Sequence, residues 1–408
     1  MHSPSNKPAF SPHAIHIVNT LVKQGYEAYI VGGAVRDYLL GHQPKDYDIA
    51  TNATPEQVLK VFSKRRARII GRRFRLCHVL EGGTIFEVST FRREPTNQER
   101  KGNSSDSGTM IWRDNQFGTI DDDVRRRDFT VNALYCDVAR SGKIIDKCGG
   151  VKDAQKRIVR VLGNPDIRFQ EDPVRMLRAL KLVGQHGFTM AADTKKALLR
   201  NAESITLASQ ARLVEEIFKI LFTGKSLPIL EACHKYHFLC HLLPLLDSLW
   251  DEEVGIQTRN LLAQRDAAIH EDPLYPESRS LAIATLLFPF IREQLEIEFP
   301  DLQYSEETID FVSKLFRLFF GKYKIPNQCS TDAQRICLAL PRLASARRIG
   351  SFSKNKLYPN AFELFRLLTL AEEWNVPAFL HLPFPQIDTS EVSPPVPDNI
   401  HVPRFQPI

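Results

Sequence analysis

Two aspartates two positions apart, Asp46 and Asp48, follow the pair Gly32-Gly33 after twelve intervening residues. A strand over Asp46 to Ala50 would point both carboxylates to one face while Tyr47 and Ile49 pack underneath. Carboxylates held side by side repel unless a cation neutralises them, and hard oxygen ligands suit magnesium. A solvated turn is the alternative for Asp-x-Asp alone. Glu87 is a third candidate ligand: in the run Thr84 to Thr90, alternation puts Phe86 and Val88 on the core face and Glu87 on the other. Two Mg²⁺ ions held about 3.5 to 4 Å apart lower the pKa of an attacking hydroxyl and stabilise a departing pyrophosphate, which is the chemistry of nucleotidyl transfer.

Gly32 and Gly33 at the mouth of a helix let the backbone approach phosphate oxygens, with the helix N-terminus aiming N–H donors at them. They match neither the dinucleotide-binding nor the P-loop glycine pattern, so oxidoreductase and P-loop readings lose their main support. Between Lys60 and Arg75 lie eight basic residues and no acidic one, among them Arg65, Arg66, Arg72 and Arg73. That density suits phosphate contact, with a solvated basic face as the alternative. Cys233, His234, His237, Cys240 and His241 have zinc-ligand chemistry, but apolar residues throughout Leu230 to Leu243 favour a single core helix.

The elements that must position these residues alternate in the first third of the chain. Glu27 to Val31 reads as a strand, Ala34 to Leu40 as a helix, and Pro55 to Phe62 as a helix capped by Thr54. Leu76 to Leu80 and Thr84 to Phe91 form a hairpin around Glu81-Gly82-Gly83. Glu94 to Gly108 is polar, without apolar periodicity, and reads as a loop. Phe129 to Val138 and Ile144 to Cys148 resume strand or short-helix character, ending at Gly149-Gly150. From about Val174 the spacing turns helical, as in Met176, Leu177 and Leu180, and stays so to about Trp374. The proline-rich segment 381–408 reads as an extended tail.

The whole is an α+β chain: a mixed-sheet head at 25–150 after an N-terminal segment 1–24, a helical neck at 151–225, a helical body at 226–380 and the tail. At 408 residues, two or three domains are expected, and 43% hydrophobic with 25% charged residues excludes a disordered or disulfide-dense chain. The longest largely apolar stretch, Leu281 to Ile291, is shorter than the roughly 18 residues a membrane span needs, so no membrane partner is expected. Met1 to Phe10 carries no targeting pattern, and the seven cysteines include no Cys-x-x-Cys pair. Both features point to the cytoplasm.

Four segments occur in an order that resembles the DNA-polymerase-β-like nucleotidyltransferases, and among them the bacterial poly(A) polymerases and class II CCA-adding enzymes. They are Gly32 to Asp37, Lys45 to Asp48, Arg126 to Leu134, and Glu171 to Arg178. The resemblance implies that Asp46 and Asp48 bind two Mg²⁺ ions with Glu87 as a further catalytic carboxylate. It implies a nucleotide site formed by Gly32, Gly33, Arg36, Arg127, Asp128, Asn132, Asp172, Arg175 and Arg178. In it Arg127 and Asp128 meet phosphate and ribose, consistent with a guanidinium fork and a carboxylate acceptor. Asp172 and Arg175, three apart on a helix, offer an acceptor beside a donor fork for a base edge; a plain salt bridge is the alternative. Arg65, Arg66, Arg72 and Arg73 would contact RNA. Ile69 to Val79 is similar to the segment that marks poly(A) polymerases, so AMP addition from ATP to the 3′ ends of mRNA or tRNA is expected. CCA addition to tRNA is the alternative, and a catalytically silent RNA-binding protein a remote one. The sequence leaves the oligomeric state open.

Overall fold

The computed structural model describes residues 10–71, 75–93, 116–300, 305–321, 323–345, 349–372 and 382–383. They form two compact units. One holds the described residues up to Arg175 together with Phe188–Leu198; the other holds Met176–Gly187 and the described residues from Leu199 onward.

The first unit runs α1 (Pro12–Lys23), β1 (Ala28–Val31), α2 (Gly33–Leu39), β2 (Asp48–Thr51), α3 (Pro55–Arg66), β3 (Ala67–Ile70), β4 (Leu76–Glu81), β5 (Thr84–Thr90), α4 (Ile120–Arg126), a 3₁₀ turn (Thr130–Asn132), β6 (Leu134–Cys136), β7 (Ile144–Asp146), α5 (Gly150–Gln155), β8 (Ile158–Val159) and α6 (Pro165–Glu171). Seven strands form one sheet in the order β3-β4-β5-β2-β1-β6-β7. β2 and β5 run parallel and the other neighbours antiparallel.

Alternation sorts the strands onto two faces. Ile30, Ile49, Cys77, Val79 and Val88 are buried with α1 (Ile17, Val18, Leu21) and α3 (Val58, Phe62). Tyr29, Val31, Ala50 and Tyr135 pack on the other side with Phe91 and with Val124 of α4. The sheet is therefore buried on both faces, as a mixed sheet with a parallel junction requires. Thr54 and Gln57 form a capping box at the start of α3, with Pro55 in the first turn. The β4–β5 hairpin turns on Gly82 and Gly83, both at positive φ, between the paired residues Glu81 and Thr84.

Several boundaries differ from the sequence expectation. β2 begins at Asp48, not Asp46, because β1 ends opposite it at Val31 and Gly32 then turns the chain away. Nothing on that side extends the ladder back to Asp46, so strand alternation does not place Asp46 beside Asp48. β3 occupies part of the basic run, where the sequence pattern shows no strand. Gly150 starts a helix rather than ending a section, and a Cβ there would lie 2.1 Å from the Thr130 carbonyl oxygen. The 94–108 loop falls outside the described residues, as does the tail apart from 382–383.

The helix α7 (Val174–His186) crosses the boundary between the units, followed by β9 (Thr189–Met190), which pairs with β8, and α8 (Ala192–Asn201). The second unit continues with α9 (Gln210–Leu221), α10 (Ser226–Lys235), α11 (Leu239–Leu242), α12 (Pro244–Ser248), α13 (Glu253–Glu271), α14 (Arg279–Glu298), α15 (Glu306–Phe320), α16 (Asn327–Ala344), α17 (Ile349–Phe352) and α18 (Tyr358–Ala371). The expected single helix over Leu230 to Leu243 is two, α10 and α11, broken where His237 adopts φ +52°. Cys233 is buried, and His234 bonds Asp247 at 2.8 Å while stacking on Trp250. Leu281 to Ile291 is the buried middle of α14. Among the described residues no helix is long and apolar enough to cross a membrane.

Candidate functional site

Asp48 opens β2 opposite Val31 of β1 on one side and Glu87 of β5 on the other. Glu87 in turn faces His78 of β4, with Nε2 and Oε1 3.7 Å apart. Asp48 and Glu87 are exposed and line a cavity of about 290 Å³ together with Ser89 and Asp123. Arg92, Arg126, Arg127 and Arg175 complete its wall. Carboxylates at one edge and guanidinium groups around them suit a ligand whose phosphates bring a divalent cation.

Gly32 lies between the two kinds of charge. At φ +73°, a Cβ here would stand 3.4 Å from Arg127 Nη1 and 3.7 Å from Asp48 Oδ2. Any side chain would be strained by the left-handed backbone, and its Cβ would lie in ordinary contact with both groups.

Arg127 follows α4, whose N-terminus is fixed by a capping box between Thr119 and Asp122. Its Nε donates to the Tyr135 hydroxyl at 2.8 Å, its Nη2 to Asp123 Oδ2 at 3.1 Å and its Nη1 to the Asn132 carbonyl at 3.2 Å. Tyr135 donates its hydroxyl to the same Asp123 oxygen at 2.5 Å. Burial, the largest influence on Arg127, favours loss of its charge, but Tyr135 and Asp123 outweigh it and the guanidinium is held more firmly charged than usual. Burial likewise pushes the Tyr135 phenol up and keeps it neutral.

Arg36 is buried, donating to Asp37 Oδ1 at 2.9 Å and to Asn132 Oδ1 at 2.8 Å. Asn132 donates to Asp128 Oδ1 at 3.2 Å, and that oxygen also accepts the Phe129 N–H at 2.8 Å. A polar chain thus ties α2 to the 3₁₀ turn behind Gly32.

The fourth segment is built on a short helix. Asn164 caps α6, accepting the N–H groups of Asp166 and Ile167. Arg168 and Glu171 share one face of α6 and pair at 2.8 Å. Asp172 lies between helices, and its Oδ1 accepts the Val174 N–H at 3.2 Å at the start of α7. Arg175 donates to the Arg168 carbonyl at 2.9 Å and to Glu171 at 3.2 Å. Burial and then the neighbouring Arg168 lower its pKa. In the second unit, buried Glu216 takes Lys181 at 3.5 Å and Lys219 at 3.3 Å. Burial opposes its charge, but these lysines hold its carboxyl below the usual range.

The structure therefore brings Asp48, Glu87, Arg127 and Arg175 around one cavity, with Gly32 against it. Asp46 is exposed, precedes β2 and does not line that cavity. Gly33 begins α2, while Asp128 and Asn132 stand in the polar chain behind. Arg178 is exposed and belongs to the second unit, where its charge acts on Glu216. Arg65 and Arg66 end α3, and Arg66 pairs with Glu81 and lies over the Phe62 ring. Arg72 and Arg73 fall outside the described residues. Sequence reasoning passes over Tyr135, Asp123 and Arg168. Tyr135 looks like a core strand residue, whereas Asn164-Pro165 ahead of Arg168 is a readable helix start.

The donor set fits a hard divalent cation: Asp48 and Glu87 offer carboxylate oxygens from adjacent strands, with Asp46 two residues upstream. The oxygens of the three do not all approach within 4.8 Å of one another here. Like charges keep such a trio apart until a cation neutralises them.

A mixed sheet carrying carboxylates beside a Gly-Gly helix mouth, with arginines converging on it, defines a nucleotidyltransferase head. Residues 28–160 match the poly A polymerase head domain, and residues 187–249 match the domain described as the probable RNA and SrmB-binding site of polymerase A. Over these segments the chain is similar to poly(A) polymerases and CCA-adding nucleotidyltransferases. Poly(A) polymerase I of Salmonella typhi is 41% identical over 265 residues, which is 64% of this chain and 56% of that protein. The CCA-adding enzyme of Geobacillus thermodenitrificans is 40% identical over 227 residues, 55% of this chain and 53% of that protein. The chain thus spans little more than half the length of these relatives.

Among solved structures, the Bacillus stearothermophilus CCA-adding enzyme in complex with CTP aligns over 92% of this chain and 80% of its own, at 28% identity and a TM-score of 0.60. A tRNA nucleotidyltransferase complexed with a primer tRNA and an incoming ATP analog aligns over 90% of this chain and 97% of its own, at 25% identity and a TM-score of 0.60. Enzymes of this family are generally metal-dependent.

Proposed function

We propose that the protein is a template-independent poly(A) polymerase, adding AMP from ATP to RNA 3′ ends and releasing pyrophosphate. The observation that carries the reading is the cavity in which Asp48 and Glu87 meet Arg127 and Arg175. Asp46, Asp48 and Glu87 would hold two Mg²⁺ ions, which in such sites activate the attacking hydroxyl and stabilise the leaving oxygen. The RNA 3′-hydroxyl attacks the α-phosphorus in line, a new P–O bond forms, and the bond to pyrophosphate breaks. Gly32 and Gly33 let the backbone close on the phosphates, and Arg127 forks onto them. Asp128 accepts a ribose hydroxyl, with Asn132 and Arg36 fixing its position. Asp172 and Arg175 read the base edge, Arg178 adds positive charge, and Arg65, Arg66, Arg72 and Arg73 follow the RNA backbone.

Identity to poly(A) polymerase I over a longer stretch than to CCA-adding enzymes supports AMP addition, as does the basic segment after β3. CCA addition to tRNA is the second reading, favoured by the CCA-adding enzymes among its structural neighbours. The purified protein, given Mg²⁺, each NTP separately, and RNA primers with and without a tRNA acceptor end, decides. Repeated AMP addition to varied RNAs supports the first reading. Restoration of CCA followed by a halt replaces it with the second, and no incorporation from any NTP removes both.

A further inference from the structure

Arg168 is buried, carries no role in the reading above, and touches both segments that would handle the nucleotide. Its Nη2 donates to the Arg126 carbonyl at 2.6 Å and to the Arg127 carbonyl at 3.0 Å, gripping the main chain from which Arg127 and Asp128 project. Its Nη1 donates to Glu171 at 2.8 Å. Its own carbonyl accepts Arg175 Nη1 at 2.9 Å, and Glu171 accepts the same nitrogen at 3.2 Å. One residue therefore fixes the backbone of the sugar- and phosphate-reading segment through its side chain, and the base-reading guanidinium both through its own carbonyl and through Glu171, which its side chain holds.

We propose that Arg168 is a positioning residue for substrate specificity: it sets the spacing between the base-reading and sugar-reading ends of the nucleotide site, so base and sugar are selected jointly. The inference rests on the nucleotide site proposed above. Its chemical basis is the planar fork of arginine, which spans two carbonyls and a carboxylate at fixed angles; a lysine ammonium on a flexible stem cannot hold all three in that geometry. Without the grip, the Arg126-Arg127 backbone and Arg175 relax independently. A misplacement of the order of 1 Å is enough to weaken discrimination at both ends.

The test compares the full-length protein with Arg168→Lys and Arg168→Gln, measuring dissociation constants for ATP, CTP and dATP with Mg²⁺ alongside turnover on an RNA primer. Selectivity is the readout because a ratio of affinities is internal to the folded population and does not move if a variant merely folds less completely. Contacts from the Arg127-Asp128 segment and from Arg175 each contribute on the order of tenfold to discrimination, so both the ATP-to-CTP and the ATP-to-dATP ratios should fall together by about that factor in Arg168→Lys. A fall in one ratio alone, or two unchanged ratios, overturns the proposal. Wild-type protein that binds the nucleotides selectively but incorporates none overturns the enzymatic reading instead, while the affinity ratios still judge Arg168.

Discussion

Glu87 stands directly across the β2–β5 pairing from Asp48, at the parallel junction of an otherwise antiparallel sheet. Residues matched in register on neighbouring strands share a face, so the two carboxylates reach the same cavity edge although α3, β3 and β4 separate them in sequence. Replacing Asp48 by Ala, or Glu87 by Gln, should lower nucleotide addition by about a hundredfold or more while leaving thermal stability near wild type. Turnover with ATP, Mg²⁺ and an RNA primer measures this, and near-normal turnover in Asp48→Ala would refute the metal-site assignment. Asp46→Ala separates the sequence pattern from the observed geometry; loss of activity there means Asp46 joins the pair when the cation binds.

The Tyr135 hydroxyl links Asp123 to Arg127 in a buried setting. Tyr135→Phe leaves both charged groups short of a partner, which should cost about 1 to 3 kcal/mol of stability. Urea unfolding reads the cost, and KM for ATP should rise because Arg127 loses one of the three groups that hold it. An unchanged KM would show that Asp123 and the Asn132 carbonyl suffice to orient the guanidinium.

Asp146 accepts the backbone N–H groups of Cys148, Gly149, Gly150 and Val151. Burial is the largest influence and opposes its charge, but these four donors outweigh it and hold the carboxyl below its ordinary 3.8. A carboxylate depressed on folding contributes stability above its unfolded pKa, and that contribution is lost as pH falls through the folded one. The stability gap between wild type and Asp146→Asn should therefore be full at about pH 6 and close below about pH 4. Unfolding midpoints across that range check it; a gap independent of pH would assign the effect to shape alone.

Arg66 is already paired with Glu81, whereas Arg65 lies exposed at the end of α3. Arg65→Ala should weaken RNA binding more than Arg66→Ala, and each lost phosphate contact should reduce the salt slope of log K by about 1. Neutralising Arg72 and Arg73 as well should flatten the slope further. Filter binding at several salt concentrations gives the slopes, and identical slopes in all variants would make this run a solvated face.

Much of the fold is legible in the sequence because local rules act over few residues. Thr54-Pro55 announces α3, Gly82-Gly83 announces the hairpin, and alternation around Glu87 gives its face. Asp46 is misplaced by the strand pattern because the length of β2 is decided by where β1 ends, which is a partner's property and not its own. Arg168 escapes a sequence reading for a related reason: its significance lies in carbonyl groups of Arg126 and Arg127, and backbone acceptors carry no signature in a residue code. The helix break at His237 is equally hidden, since an apolar run does not reveal a left-handed residue.

The bond from Arg36 to Asn132 joins positions 96 residues apart, and the Ser89 hydroxyl reaches the Ile49 carbonyl across 40. Contacts this distant in sequence are slow to close, because loop entropy must be overcome before the contact stabilises anything. During synthesis α1 to β2 emerge early, yet Asp48 lacks its neighbour until β5 is made, and the polar chain behind Gly32 waits for the 3₁₀ turn. The pocket wall is complete only once Arg175 has appeared. A growing chain of this protein would therefore acquire its sheet before the wall of its cavity is complete, and a chain released before residue 175 would hold the carboxylates without the full set of cations that answers them.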